Sequence, residues 1–417
     1  MKIKSVLFLL LLQSSISFSQ SNVSRQLKEL SKRHQFNKMD SLNNTVRTKD
    51  YFLYKALYAN ACNDPQLSEK YLDSVQQPEI AGNFTYYKLK NDNCIKLFDY
   101  AGAFEISGIL TTKFAKHFSK SELKDEINTQ RIWEVLKATP AQSISPFTNV
   151  SVKTKKDKAE LITTTVSANG VDTSFVFDTG AGISCITQSM AKKFGLQLLP
   201  DNNISVMSFT GIENKVLIGV APALSIGGIS IKNAVFLVYP DDAFTFAKGA
   251  YVINGIIGFP IAKELGTITI EKESLTFSKT TGDERIAKNL FVDELRAILM
   301  LTYKGKTLPY NFDSGAKESS FNKSFYQLFK SEADAGKVIS DRTSGAGGQE
   351  VTAELLELKD QVIYLGQTAI KLDRMQIDKR NYGIYGKADF GNIGQDIIGQ
   401  FKKVTISFDH NYLRLEN

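Results

Sequence analysis

From residue 22 to about 138, apolar and polar positions alternate in long, helix-like patterns. Examples are YFLYKALYANACNDPQLSEKYLDSV and CIKLFDYAGAFEISGILTTKF. Glycine is sparse here and the two-residue alternation of a strand is missing, so the pattern predicts helices. The two stretches resemble each other at a spacing of 35 residues (99 − 64), which sets Asp64 against Asp99, each between two helix-like runs. That spacing hints at helix-hairpin repeats of the tetratricopeptide kind, and an irregular helical bundle accounts for it equally well.

The pattern changes at TPAQSISPFTNVSVKTKKDK (139–158), whose prolines, serines and lysine run read as a linker over 141–158. Strand periodicity follows. KAELITTTV alternates, Asn169-Gly170 is a hairpin-turn pair, and DTSFVFD resumes the extended pattern. The plan then recurs as LRAILMLTY, Lys304-Gly305 and KTLPYNFD. Gly170 and Gly305 each lie eight residues before an aspartate, Asp178 and Asp313 (178 − 170 and 313 − 305). Nine residues after each aspartate stands a capable helix N-cap, Thr187 and Asn322. Further on, Gly258 and Gly394 each precede an isoleucine by twelve residues, Ile270 and Ile406. Residues 159–280 and 290–417 therefore read as two copies of one β-rich, barrel-like lobe, preceded by an all-α region over 22–140.

The first twenty residues have the shape of a secretory signal peptide: two lysines, a short apolar run from Val6 to Leu12, then small polar residues. No later stretch is long enough to span a membrane as a helix, so an exported protein, periplasmic or secreted, is expected. Loss of Lys2 and Lys4 lowers the net charge from +7 to +5 (7 − 2). Scattered basic residues without interleaved aromatics argue against a nucleic-acid partner. Cys62 and Cys94 are available for a disulfide after export, whereas Cys185, inside ISCIT, reads as a small buried hydrophobe. With His34, His117 and His410 far apart, there is little material for a metal site or a histidine-based triad, and no cofactor is expected.

The repeated string is Phe-Asp-[Thr/Ser]-Gly-Ala, at 177–181 and 312–316. One aspartate per copy suggests a site on the pseudo-twofold axis between the copies. Two carboxyls in contact cannot both ionise cheaply, so they share one proton. The ionised member can then take a proton from water while the protonated member donates to a carbonyl oxygen. Gly180 and Gly315 permit a tight turn, and Thr179 and Ser314 can bond across the axis. These motifs, with Ile256-Ile257-Gly258 and Asn392-Ile393-Gly394, resemble those of pepsin/retropepsin-type aspartic proteases in the bilobal single-chain form. The resemblance covers roughly 159–416. It implies Asp178 and Asp313 as catalytic residues, with Thr179, Gly180, Ala181, Ser314, Gly315 and Ala316 supporting the turns. It further implies that Ile256, Ile257, Gly258, Ile393 and Gly394 pack beneath them. A polypeptide substrate and a monomeric enzyme follow, with the helical region as an accessory domain open to a protein partner.

That family covers its cleft with a flexible hairpin. SFTGIENK (208–215) and TSGAGGQE (343–350) are the matching stretches, with Thr210, Gly211, Gly345, Gly347 and Gly348 as substrate-binding positions. Two departures stand out. Asn392 occupies a position the family fills with an apolar residue, which predicts looser packing under Asp313. Alanine follows each glycine, rather than the serine of pepsins, which predicts a pair that titrates higher. A rival reading is a catalytically silent peptide-binding protein of the same fold, in which Glu318, five residues past Asp313, disturbs the second half-site. A two-carboxylate glycosidase would need aromatic sugar platforms, and the single Trp, Trp133, lies outside the repeat.

Overall fold

Asp64 and Asp99, matched by the 35-residue spacing, perform the same local task. Each side chain accepts a backbone N–H at the start of a helix, from Leu67 and from Gly102 respectively. This satisfies donors that a helix start leaves unpaired. A computed structural model describes residues 22–76, 80–200, 203–208, 213–279, 282–344, 350–380 and 389–417. Its N-terminal part is helical, with helices at 22–32, Phe36–Thr45, Tyr51–Ala61, Pro65–Leu72, Phe84–Lys96, Tyr100–Thr112 and Lys120–Leu136. Neighbours in sequence pack side by side, and Lys120–Leu136 begins with a full capping box from Ser119 and Glu122. The leader-like residues 1–20 lie outside the described residues. None of the described helices is long and apolar enough to cross a membrane.

The β-rich remainder contains one strand order twice. In the first unit, the hairpin Ile162–Ala168/Val171–Phe177 pairs parallel with Gly255–Ile257, which pairs antiparallel with Ser184–Thr187. That last strand runs parallel to Ile229–Tyr239, and Leu217–Ile226 completes the path. In the second unit, Arg296–Tyr303/Lys306–Phe312 leads through Gly391–Ile393, Ser320–Phe321 and Thr368–Ile377 to Glu350–Leu365, with the same parallel and antiparallel senses. A further contact closes each set of six strands on itself, Ser167 with Ser225 and Thr302 with Tyr364. Both hairpins turn through two residues of positive φ, Asn169-Gly170 (49° and 73°) and Lys304-Gly305 (46° and 75°). That backbone matches the twist of antiparallel strands.

The units are joined below by their own strands. Thr267–Glu271 pairs antiparallel with Lys403–Ser407, and Thr269 faces Thr405 directly. The offset that relates Gly258 to Gly394 is 136 (394 − 258), and 405 − 269 is also 136. Each threonine thus pairs with its own counterpart, which marks the pseudo-twofold axis. One hydrophobic core runs through both units, from Ile162 to Leu415.

The segment read as a linker is corrected by the structure. Asn149–Lys156 is a strand within the sheet, paired with Ser274–Ser278 on one side and Ile162–Ala168 on the other. Val150, Val152 and Thr154 turn inward while Lys153 and Lys155 alternate outward to solvent. The density of lysine concealed an ordinary two-residue alternation. Cys62, Cys94 and Cys185 are all free and buried. Cys62 and Cys94 sit in different apolar clusters, so the disulfide is not formed.

The helices grip both units. Phe36, Met39 and Tyr54 cluster with Phe291 and Ile298 of the second, while Tyr100, Trp133 and Leu136 cluster with Ile218, Leu237 and Phe244 of the first. Between them lies Lys96, whose side chain is fully buried. It pairs with Asp92 at 2.8 Å and donates to Asn60 Oδ1 (2.7 Å) and to the Val292 carbonyl (3.3 Å). Removing one member of a buried ion pair strands the other. Lys96→Met is therefore expected to cost about 3–5 kcal/mol of stability, read from urea unfolding. A loss under about 1 kcal/mol would mean that Lys96 does not fasten the helices to the second unit.

Candidate active site

Each aspartate follows directly on the last residue of a buried strand, Phe177 or Phe312, both almost fully enclosed. The strand beneath fixes it in place. Asp178 N–H donates to the Ile257 carbonyl (3.0 Å), and Asp313 N–H donates to that of Ile393 (2.9 Å). The two turns then meet through their hydroxyls. Thr179 N–H donates to Ser314 Oγ (3.0 Å), and Ser314 N–H donates to Thr179 Oγ1 (3.1 Å). Each hydroxyl also donates to the opposite strand, Thr179 to the Phe312 carbonyl (3.0 Å) and Ser314 to that of Phe177 (2.9 Å). Thr179 and Ser314 are completely buried, so these four bonds form without competition from water.

That clasp brings the carboxyls together. A Cβ on Gly180 would lie 2.4 Å from Asp313 Cγ, and one on Gly315 would lie 2.2 Å from Asp178 Cγ. Each glycine is therefore required by the aspartate of the other unit. Beneath the turns, Gly258 and Gly394 leave room for the Ala181 and Ala316 carbonyls, which an added Cβ would approach to 2.6 and 2.7 Å. Those carbonyls accept from Phe259 N–H (2.8 Å) and Gln395 N–H (2.9 Å). Ile257 and Ile393 are wholly buried under the site, and Ile256 and Asn392 partly so.

The carboxyls themselves are held differently. Asp178 Oδ1 accepts both Gly180 N–H (2.7 Å) and Ala181 N–H (3.1 Å). Asp313 Oδ1 accepts Gly315 N–H (2.9 Å), and its Oδ2 accepts the Asn392 amide (2.9 Å). Asn392 in turn accepts from Asn311 Nδ2 (2.6 Å). Asn392 had been expected to loosen the packing under Asp313; instead it reaches the carboxylate. Asp178 retains partial solvent contact yet lies deep among protein atoms. Desolvation, followed by the charge of Asp313 and a hydrogen bond to it, pushes its carboxyl well above the usual range.

All the turn and glycine-strand positions singled out from sequence thus converge on one place. Thr210, Gly211, Gly345, Gly347 and Gly348 lie outside the described residues. Sequence reasoning missed Ser184 and Ser319, whose hydroxyls accept Gly258 N–H (3.0 Å) and Gly394 N–H (2.9 Å). Both stand six residues past an aspartate (184 − 178 and 319 − 313), a signal that was present. It also missed Gln395, which donates to the Ser314 carbonyl (2.8 Å) and has no counterpart at Phe259.

Residues 164–261 match the family model described as aspartyl protease. The match spans the first turn and its glycine strand and supports an aspartic protease family; the second turn lies beyond it. No curated protein matches the chain significantly.

Replacing either clasp hydroxyl leaves one N–H and one carbonyl of the opposite turn buried without a partner. Thr179→Val and Ser314→Ala are each expected to cost about 2–4 kcal/mol, with the double variant costing less than their sum. Chemical denaturation of the four-member cycle measures this. Additive losses would show that the two hydroxyls do not act as one unit.

Proposed function

We propose that this protein is an aspartic endopeptidase of the bilobal pepsin/retropepsin type, acting on peptide bonds through Asp178 and Asp313. The observation that carries the reading is the reciprocal clasp, which holds two carboxyl-bearing turns face to face across an axis of near symmetry. The aspartyl-protease match over the first unit supports protease activity in general. In this reading the ionised carboxylate takes a proton from a bound water as its oxygen attacks the peptide carbon. The protonated carboxyl gives its proton to the carbonyl oxygen. The resulting diol collapses as the nitrogen gains a proton and the C–N bond breaks, which leaves an acid and an amine. At the diol the two carboxyls have exchanged protonation states. The nitrogen takes its proton from the former base while the former acid regains one from a diol hydroxyl, so each ends as it began.

Exported location follows from the leader-like first twenty residues, and the matched offsets of the two units are read as an internal duplication. The helical region is read as a permanent accessory domain, because its contacts with both units include the buried Lys96 network. A monomer suffices, since one chain supplies both aspartates. Glu318, which a silent peptide-binding protein would aim at the pair, is engaged with Gln376 Nε2 (3.3 Å).

The direct test is cleavage of a peptide library or denatured protein from about pH 3 to 8, with and without a statine-type inhibitor. Asp178→Asn and Asp313→Asn are each expected to lower the rate at least about 10³-fold. Survival of cutting in either variant would sink the reading. The pH dependence has a defined sign. A raised Asp178 carboxyl keeps its proton to higher pH, so the alkaline limb, where the acid is lost, moves upward. An optimum in the mildly acidic to neutral range is expected, and a peak below about pH 3 would contradict it.

A further inference from the structure

Under the 136-residue offset, Asn392 is the counterpart of Ile256 (392 − 256). The cross-strand pair beneath Asp313 is Asn311–Asn392, whereas the pair beneath Asp178 is Val176–Ile256. The backbones agree in both units, yet one pair is polar and the other apolar. An amide in such a half-buried site needs a reason, since an unpartnered polar group there is costly. The structure supplies one. Asn311 donates to Asn392, Asn392 donates to Asp313 Oδ2, and the carboxylate terminates the chain.

We propose that Asn392 is a positioning residue that makes the two carboxyls unequal, keeping Asp313 as the ionised member that activates water and leaving Asp178 as the proton carrier. The inference rests on the endopeptidase reading of this site and assigns the two roles within it. Both oxygens of Asp313 accept protein N–H groups, Oδ1 from Gly315 and Oδ2 from Asn392. A neutral carboxyl carries its own O–H on one oxygen, so a site in which both oxygens accept favours the charged form. On Asp178 both backbone donors converge on Oδ1. A hydrogen bond joins its carboxyl to that of Asp313, and in this assignment the shared proton resides on Asp178.

Other groups around the pair do not supply the same bias. Cys185 lies beside Asp178, and burial keeps its thiol protonated. Asp396 is occupied by the Ser319 N–H and hydroxyl at 2.9 and 2.7 Å. Lys317 and Glu318 are exposed on the turn after Asp313, with Glu318 engaged by Gln376. The Asn392 amide is the side-chain donor on Asp313 whose counterpart under Asp178 is apolar.

The test follows the titration of Asp178 and Asp313 by carboxyl-carbon NMR of aspartate-labelled full-length protein, with Asp178→Asn and Asp313→Asn assigning the two signals. Cleavage is followed in parallel. Asn392→Ile, which copies the first unit, is expected to move the lower transition of the pair upward by about one pH unit. The acid limb of kcat/KM should move with it while KM changes little. Asn311→Val, which removes only the partner of Asn392, should give a smaller shift in the same direction and guards against a folding failure in the first variant. The exchange Ile256→Asn with Asn392→Ile is expected to transfer the lower transition from Asp313 to Asp178. An unchanged or downward shift in both Asn392→Ile and Asn311→Val, or a lower transition that already belongs to Asp178 in the unaltered protein, overturns the proposal. If the shifts occur and the unaltered protein cuts nothing, the electrostatic role stands and the endopeptidase reading falls.

Discussion

The constraint on which the site depends is the exchange of hydrogen bonds between Thr179 and Ser314. A hydroxyl can accept and donate at once, and each side chain uses both capacities on the opposite turn. The glycine after it, the partly exposed aspartate before it and the strand beneath then have little freedom left. A longer side chain at either position would push the turns apart, and an apolar one would leave backbone groups buried and unpaired. The small hydroxyl is thus as necessary as the acid it follows. Its chemistry explains why one copy tolerates Thr and the other Ser.

On this near-symmetric frame the helical region and the polar pairs impose differences. Each unit meets a different face of the helical layer, with aromatic contacts through Phe36 on one side and Trp133 on the other. Under the two turns, Ile256 and Phe259 stand opposite Asn392 and Gln395. Two acids in contact can share one proton whatever their surroundings, and unlike surroundings decide which of them holds it. A repeated scaffold that sets positions, with a few unlike side chains that set charge, meets both requirements.

The legibility of the sequence follows the range of the interactions. Asn169-Gly170, Lys304-Gly305, Thr187, Asn322, Asp64 and Asp99 act on residues within a few positions, and all could be read directly. The Asp-[Thr/Ser]-Gly turns were legible because they occur twice at matched distances. Asn149–Lys156 was obscured because its outward face is lysine-rich, which mimics a solvated connector. Asn392 was read as an imperfection because an isolated amide gives no sign of what it will touch. The pairing of Thr267–Glu271 with Lys403–Ser407 had no signal, since nothing local to either segment names its partner.

That last pairing has a kinetic meaning. Its paired residues lie 132 to 140 positions apart (403 − 271 and 407 − 267), and the two aspartates 135 (313 − 178). Closing loops of that length precedes any reward from the contacts, and topologies dominated by such pairings assemble slowly. The helical layer is built from neighbours in sequence and has no such barrier. The chain can therefore order its helices while its two carboxyls are still far apart, and the paired site forms only with the final closure of the sheet. Until that closure the two carboxyls are separate acids, each without the neighbour that raises its partner's proton affinity.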